Sequence, residues 1–98
     1  MADMKSPQTR EKAEILALEG LGWLAGQEEG LRRFLDQSGI DAAALKAQAG
    51  RPETGMAVLD FLLANEDLLL GFCESVEIEP QALHLARHRL DGRLDGAD

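Results

Sequence analysis

The stretch PETGMAVLDFLLA, residues 52–64, constrains the fold more than any other part of the chain. At about 3.6 residues per turn, its only polar stripe is Glu53, Ala57, Asp60 and Ala64, while Met56, Val58, Leu59, Phe61, Leu62 and Leu63 cover the remaining circumference. A helix that is apolar on nearly every side has to be enclosed by neighbours. It falls short of the roughly 20 residues needed to cross a bilayer, so other helices of the same chain must cover it. The reading is an all-α, compact six-helix bundle with this segment near its centre.

The other helices follow from caps and spacing. Ser6-Pro7 predicts the start of the first, running to about Ala25, because a hydroxyl cap followed by a fixed φ suits an opening turn. Its apolar residues Ile15, Leu16, Leu18, Leu21, Trp23 and Leu24 surround most of the axis. The second runs from Glu28 to Gln37 with Leu31, Phe34 and Leu35 on one face, and ends at Ser38-Gly39, where glycine accepts a left-handed cap. Ile40 pins that turn to the core. Asp41 caps a third helix, AAALKAQA, which Gly50 stops, and Pro52 opens the fourth. Asn65 caps a fifth over about 66–75, and Glu79-Pro80 opens a sixth that carries Leu83, Ala86 and Leu90 on one stripe. The polar ends 1–5 and 93–98 are expected to be disordered.

Bulk composition agrees with this reading. Ninety-eight residues make one small domain, and 45% hydrophobic with 29% charged residues is a globular balance. The three prolines, the lack of Tyr and the many Leu, Ala, Glu and Arg residues favour helix. A net charge of −8 repels polyanions, so DNA is a poor partner for the molecule as a whole. MADMKSPQTREK lacks the apolar run of a secretory signal, and no segment is apolar enough to span a membrane. The single Cys73 has no internal disulfide partner. These features point to a cytoplasmic protein.

A weak internal echo organises the chain further. WLAGQEEGLRRFLDQSGIDAAALKA (23–47) and FLLANEDLLLGFCESVEIEPQALHL (61–85), 38 residues apart, are identical at seven of 25 positions. Five of those, Leu24/Leu62, Leu31/Leu69, Phe34/Phe72, Ile40/Ile78 and Leu45/Leu83, are large apolar residues at core spacings. The expectation is two three-helix repeats, 7–50 and 52–92, packed with approximate twofold symmetry.

With RFLDQSGI, VLDFLLANEDLLLGF and IEPQALHLARHRL in view, the chain resembles a small bacterial all-helical family catalogued as a domain of unknown function. The resemblance covers roughly residues 10–92 and lies in helical packing. It implies a helical fold and a bacterial cytoplasmic setting, and supplies no catalytic or binding residues to carry over.

Motifs that carry chemistry elsewhere lack their context here. Gly20-Leu21-Gly22-Trp23-Leu24-Ala25 fits a phosphate-cradling turn on paper, yet such a turn must follow a strand, and EKAEILALE is helical. Asp36 to Ala47 fails as a calcium loop, with Ile40, Asp41 and Ala47 at three ligand or glycine positions. His84 and His88 share a helix face but need a third ligand to hold a metal. Cys73 aligns with Leu35 and reads as a core residue. The third helix offers only Lys46 to a DNA groove. No cofactor and no catalytic set emerges.

Two surfaces remain. Arg87, His88, Arg89 and Arg93, reinforced by His84, form a basic cluster on an acidic molecule, a pattern that marks an acidic ligand or RNA. Leu68, Leu69 and Leu70 are consecutive, so one of them, Leu68 or Leu70, should face a partner. The first expectation is a non-enzymatic protein-interaction module that binds an unidentified protein or a second copy of itself. The alternative is a regulator that binds RNA or an acidic ligand through the sixth helix.

Overall fold

Most of the capping signals act where the sequence puts them. In the computed structural model, which describes residues 9–91, the helices are α1 (Arg10–Ala25), α2 (Glu28–Ser38), α3 (Ala42–Ala47), α4 (Pro52–Ala64), α5 (Glu66–Val76) and α6 (Pro80–Asp91). No strand occurs among the described residues. The Asp41 carboxylate accepts from the Ala44 N–H at 2.7 Å and so caps α3. Pro52 occupies the opening of α4. Gly39 closes α2 with φ 76°, a left-handed conformation that glycine adopts without steric cost.

Three boundaries depart from expectation. The opening turn predicted at Ser6-Pro7 lies outside the described residues, and α1 begins instead at Arg10. Thr9 caps it with extended backbone (φ −126°) and a hydroxyl that accepts from the Lys12 N–H at 3.1 Å. Helix α3 is two residues shorter than AAALKAQA, because Gln48 to Gly50 fold into a turn in which the Arg51 N–H donates to the Gln48 carbonyl at 3.0 Å. Asn65 does start α5, but its side chain gives α5 no cap. Its amide instead donates back to the Phe61 carbonyl of α4 at 2.8 Å, and its Oδ1 accepts from Arg33 at 3.2 Å. One residue therefore joins α4 to α5 with no slack.

Helix α4 sits at the centre, packed against α1, α2, α5 and α6. Thr54, Gly55, Val58, Leu59, Phe61 and Leu62 are buried, and Glu53, Asp60 and Ala64 are exposed along the predicted polar stripe. The core is completed by Leu24 of α1, Phe34 of α2, Phe72 of α5 and the α6 stripe Leu83, Ala86 and Leu90. Each fully buried Leu or Phe contributes about 1.5–3 kcal/mol of transfer free energy. At Gly55 the absence of a side chain lets α4 meet both α1 and α6. A Cβ there would stand 3.1 Å from the Cβ of Ala17 and 3.3 Å from Leu90.

Several contacts fall in pairs separated by the 38-residue offset. Trp23 packs on Phe72 with ring centroids 5.8 Å apart, and Phe61 packs on Phe34 at 5.2 Å. Adding 38 to Trp23 and subtracting it from Phe72 turns the first pair into the second. The two positive-φ residues in the described chain, Gly39 (76°) and Glu77 (59°), are also 38 apart. Helix α1 meets α2 as extensively as α4 meets α5, and α1·α5 matches α2·α4. The third helices differ: α6, with 12 residues, packs broadly on α1 and α4, whereas α3, with six, touches other helices only lightly.

Candidate interaction surface

The basic cluster on α6 is partly consumed by the fold. Arg87 is half-buried, its Nε donates to the Asp60 carboxylate of α4 at 2.7 Å, and its Nη1 lies 3.4 Å from the Met56 sulfur. Its aliphatic stem and charge thereby cover α4. Arg89 is half-buried and engages in an interaction of its own. His84 and His88 are exposed. Arg93 lies outside the described residues. The cluster thus does not present four free cations on one face.

The leucine run divides as its spacing requires. Leu69 is buried, Leu68 is half-buried against Gly30, and Leu70 is half exposed. A Cβ on Gly30 would stand 3.1 Å from Leu68, so glycine is what lets α2 and α5 approach there. Leu70 projects from α5 between Glu66 and Glu74, four residues on either side and both exposed. Asp67, on the same face, accepts from both terminal nitrogens of Arg33 on α2, at 3.3 and 3.5 Å. Those hydrogen bonds hold its carboxyl below the usual 3.8, against the opposing effect of desolvation. Beside Leu70, Gly71 lies under the Trp23 indole, whose ring carbons are 3.0 and 3.2 Å from where a Cβ would be. Trp23 keeps part of its surface in solvent.

Helix α1 supplies a second apolar surface that its sequence pattern does not single out. Ile15 and Leu18 are 50% and 47% exposed, comparable with Leu70 at 50%. The signal is present in hindsight. Ala13, Leu16, Ala17, Gly20 and Leu24 form one complete inward stripe, so Ile15 and Leu18 have to face away from it. Beside Leu18 is an open depression lined by Ala17, Ala49, Gly55 and Leu90, with Glu14 and Arg51 at the rim. Its volume of about 60 Å³ accepts one side chain, far below the about 300–1,000 Å³ of a small-molecule pocket.

The remaining candidates take ordinary structural places. Cys73 is buried; desolvation, and then the charge of Glu79, push its thiol upward, away from a reactive thiolate. Glu28 and Glu66 are both exposed in first turns, where carboxylates complement the helix dipole. The glycines of Gly20-Leu21-Gly22 lie inside α1, where Gly20 packs against Leu62 and Val58. Among the described residues no three His, Cys, Asp or Glu side chains gather as a metal site, and no helix is long and apolar enough to cross a membrane.

Comparison with curated proteins and with solved structures gives no match. A family description does match, over residues 10–93, most of the chain and all six of the helices just described. The chain therefore belongs to the family described as protein of unknown function, DUF3572.

Proposed function

We propose that the protein is a non-enzymatic interaction module: a helical bundle that recognises another protein through apolar side chains left outside its core. The observation that carries this reading is the exposure of three large hydrophobic residues, Ile15, Leu18 and Leu70, on helices whose inward stripes are already complete. An isolated exposed Leu needs no explanation, but Ile15 and Leu18, three residues apart on α1, share one outward face. The competing reading, RNA or an acidic ligand on α6, has less support, since Asp60 already neutralises Arg87. The net charge of −8 further opposes a polyanion.

The same proposal reads the bundle as two copies of a three-helix unit, supported by the paired aromatic contacts and the paired left-handed caps. A bacterial setting rests on the family resemblance alone. The experiment is affinity capture from an extract of the source cells, with the mass of the purified chain measured in solution. A specific partner whose retention falls on Leu18→Ser or Leu70→Ser supports the module. A strictly monomeric chain that retains nothing overturns it.

A further inference from the structure

The depression beside Leu18 has room for one side chain, and its rim says what kind of segment brings it. Ala17 and Leu18 of α1, Gly55 of α4 and Leu90 of α6 line it. The rim carries one carboxylate and one guanidinium, Glu14 and Arg51. Each has an exposed partner nearby, Arg10 at 3.8 Å and Glu53 at 3.9 Å. Exposed pairs of this kind are weak, so both charges stay available to a third group. Leu90, the last buried residue of α6, is followed by Asp91-Gly92-Arg93-Leu94-Asp95. Residues 92–98 lie outside the described part of the chain. Leu94 is the single large apolar residue among them, and it follows Leu90 by four positions, the interval that separates Ala86 from Leu90 on the inward stripe. Three residues beyond Asp91, it has a reach of about 10 Å. A cation precedes it and an anion follows it, Arg93 and Asp95, opposite in sign to the anion and cation of the rim.

We propose that Leu94 of the chain's own C-terminal segment fills this depression, with Arg93 facing Glu14 and Asp95 facing Arg51. The inference stands apart from the interaction-module reading and does not rest on it. Other occupants are less favoured. A second copy loses its translational freedom on binding and meets the repulsion of a chain carrying −8. A tethered leucine is instead held at an effective concentration on the order of mM. Met4, towards the other end, precedes α1 by six residues and reaches the depression only by doubling back past Arg10. With Leu94 in place, the gap left beside the short α3 is closed and part of Leu18 is covered. A foreign side chain enters the depression only after the segment leaves, while Ile15, which is not part of the lining, stays open.

The test uses the full chain, by methyl NMR and by urea denaturation. Nuclear Overhauser contacts from the Leu94 methyls to those of Ala17 and Leu18 are expected, at intensities independent of protein concentration. Leu94→Ser should raise the equilibrium constant for unfolding about tenfold, the size of one leucine burial partly offset by the ordering of the segment that carries it. In an Ala49→Leu background, whose added side chain occupies the depression, the same substitution should change almost nothing. Arg93→Glu should raise the unfolding constant about twofold, and Glu14→Arg combined with it should recover most of that loss. Missing contacts to α1, an unchanged unfolding constant in Leu94→Ser, or an equal effect in both backgrounds would each overturn the docking. Contacts that grow with protein concentration assign the depression to a second copy, and contacts from Met4 assign it to the other end; either result also overturns the proposal. None of these outcomes bears on whether the chain recruits a partner, so the two readings fail separately.

Discussion

Helices α3 and α6 hold the same place in the two halves of the chain yet do different work. Both begin with an acidic residue just before the helix, Asp41 and Glu79, and both bury a leucine at matching positions, Leu45 and Leu83. From there they diverge. Gly50 and Pro52 follow α3 closely so that the chain can enter α4, while Arg87 to Leu90 carry α6 onward across α1 and α4. A local choice of helix breaker thus decides which half closes the core and which leaves Leu18 beside an open depression.

The comparison can be broken most sharply at the two leucines. Leu83→Ala empties a fully buried site in a well-packed helix and should cost about 2–5 kcal/mol. Leu45→Ala, in the lightly packed α3, should fall at or below the lower end of that range, and urea denaturation of both variants measures the difference. Equal losses would mean that α3 supports the core as firmly as α6.

The left-handed caps come next in size. An L-residue with a side chain pays steric strain in that conformation, about 1–2 kcal/mol, and Gly39 avoids it where Glu77 does not. Gly39→Ala should therefore lower stability by about 1 kcal/mol, and Glu77→Gly should raise it by less than that, since Glu77 also gives up an interaction of its own. Thermal unfolding of the two variants should move in opposite directions.

The Arg87–Asp60 pair has no counterpart in the first half, where Ala49 and Gly22 stand at the matching positions. Both side chains keep substantial exposure, 32% and 56%, so Arg87→Gln should cost only about 0.2–1 kcal/mol, a loss that shrinks as salt is added. Asp67 gives the finest test. Its folded carboxyl lies below the ordinary 3.8 because of Arg33. Its contribution is therefore present above that value and disappears as pH falls through the lower, folded one. Asp67→Asn should thus remove a small stabilisation at neutral pH and change nothing at the lowest pH, which flattens the acid end of the stability curve.

Helix positions were legible because the caps are local. Asp41, Pro52 and Gly39 act on backbone groups within a few residues, so their meaning survives without any tertiary context. The central place of α4 was legible from its nearly unbroken apolar circumference. What resisted reading depended on partners distant in sequence. Arg87 looked like a free cation because nothing near it in the chain announces Asp60, 27 residues away. Asn65 looked like a cap for α5 because its bond back to Phe61 serves α4 instead. The exposure of Ile15 and Leu18 is not legible because apolar residues that surround most of a helix axis do not say which neighbours will be missing.

The depression beside Leu18 has one more implication. Glu14 and Ala17, from the first turns of α1, line it together with Leu90, from the last turn of α6, so the first and last helices end in one neighbourhood. The turn between α3 and α4, residues 48–51, lines the same depression through Ala49, Gly50 and Arg51. A gene rearranged to start at Pro52, with a short Gly/Ser linker returning from α6 to α1, would encode the same bundle read in a different order. The packing of α1 on α6 and of α4 on both is then independent of where along the chain the sequence starts.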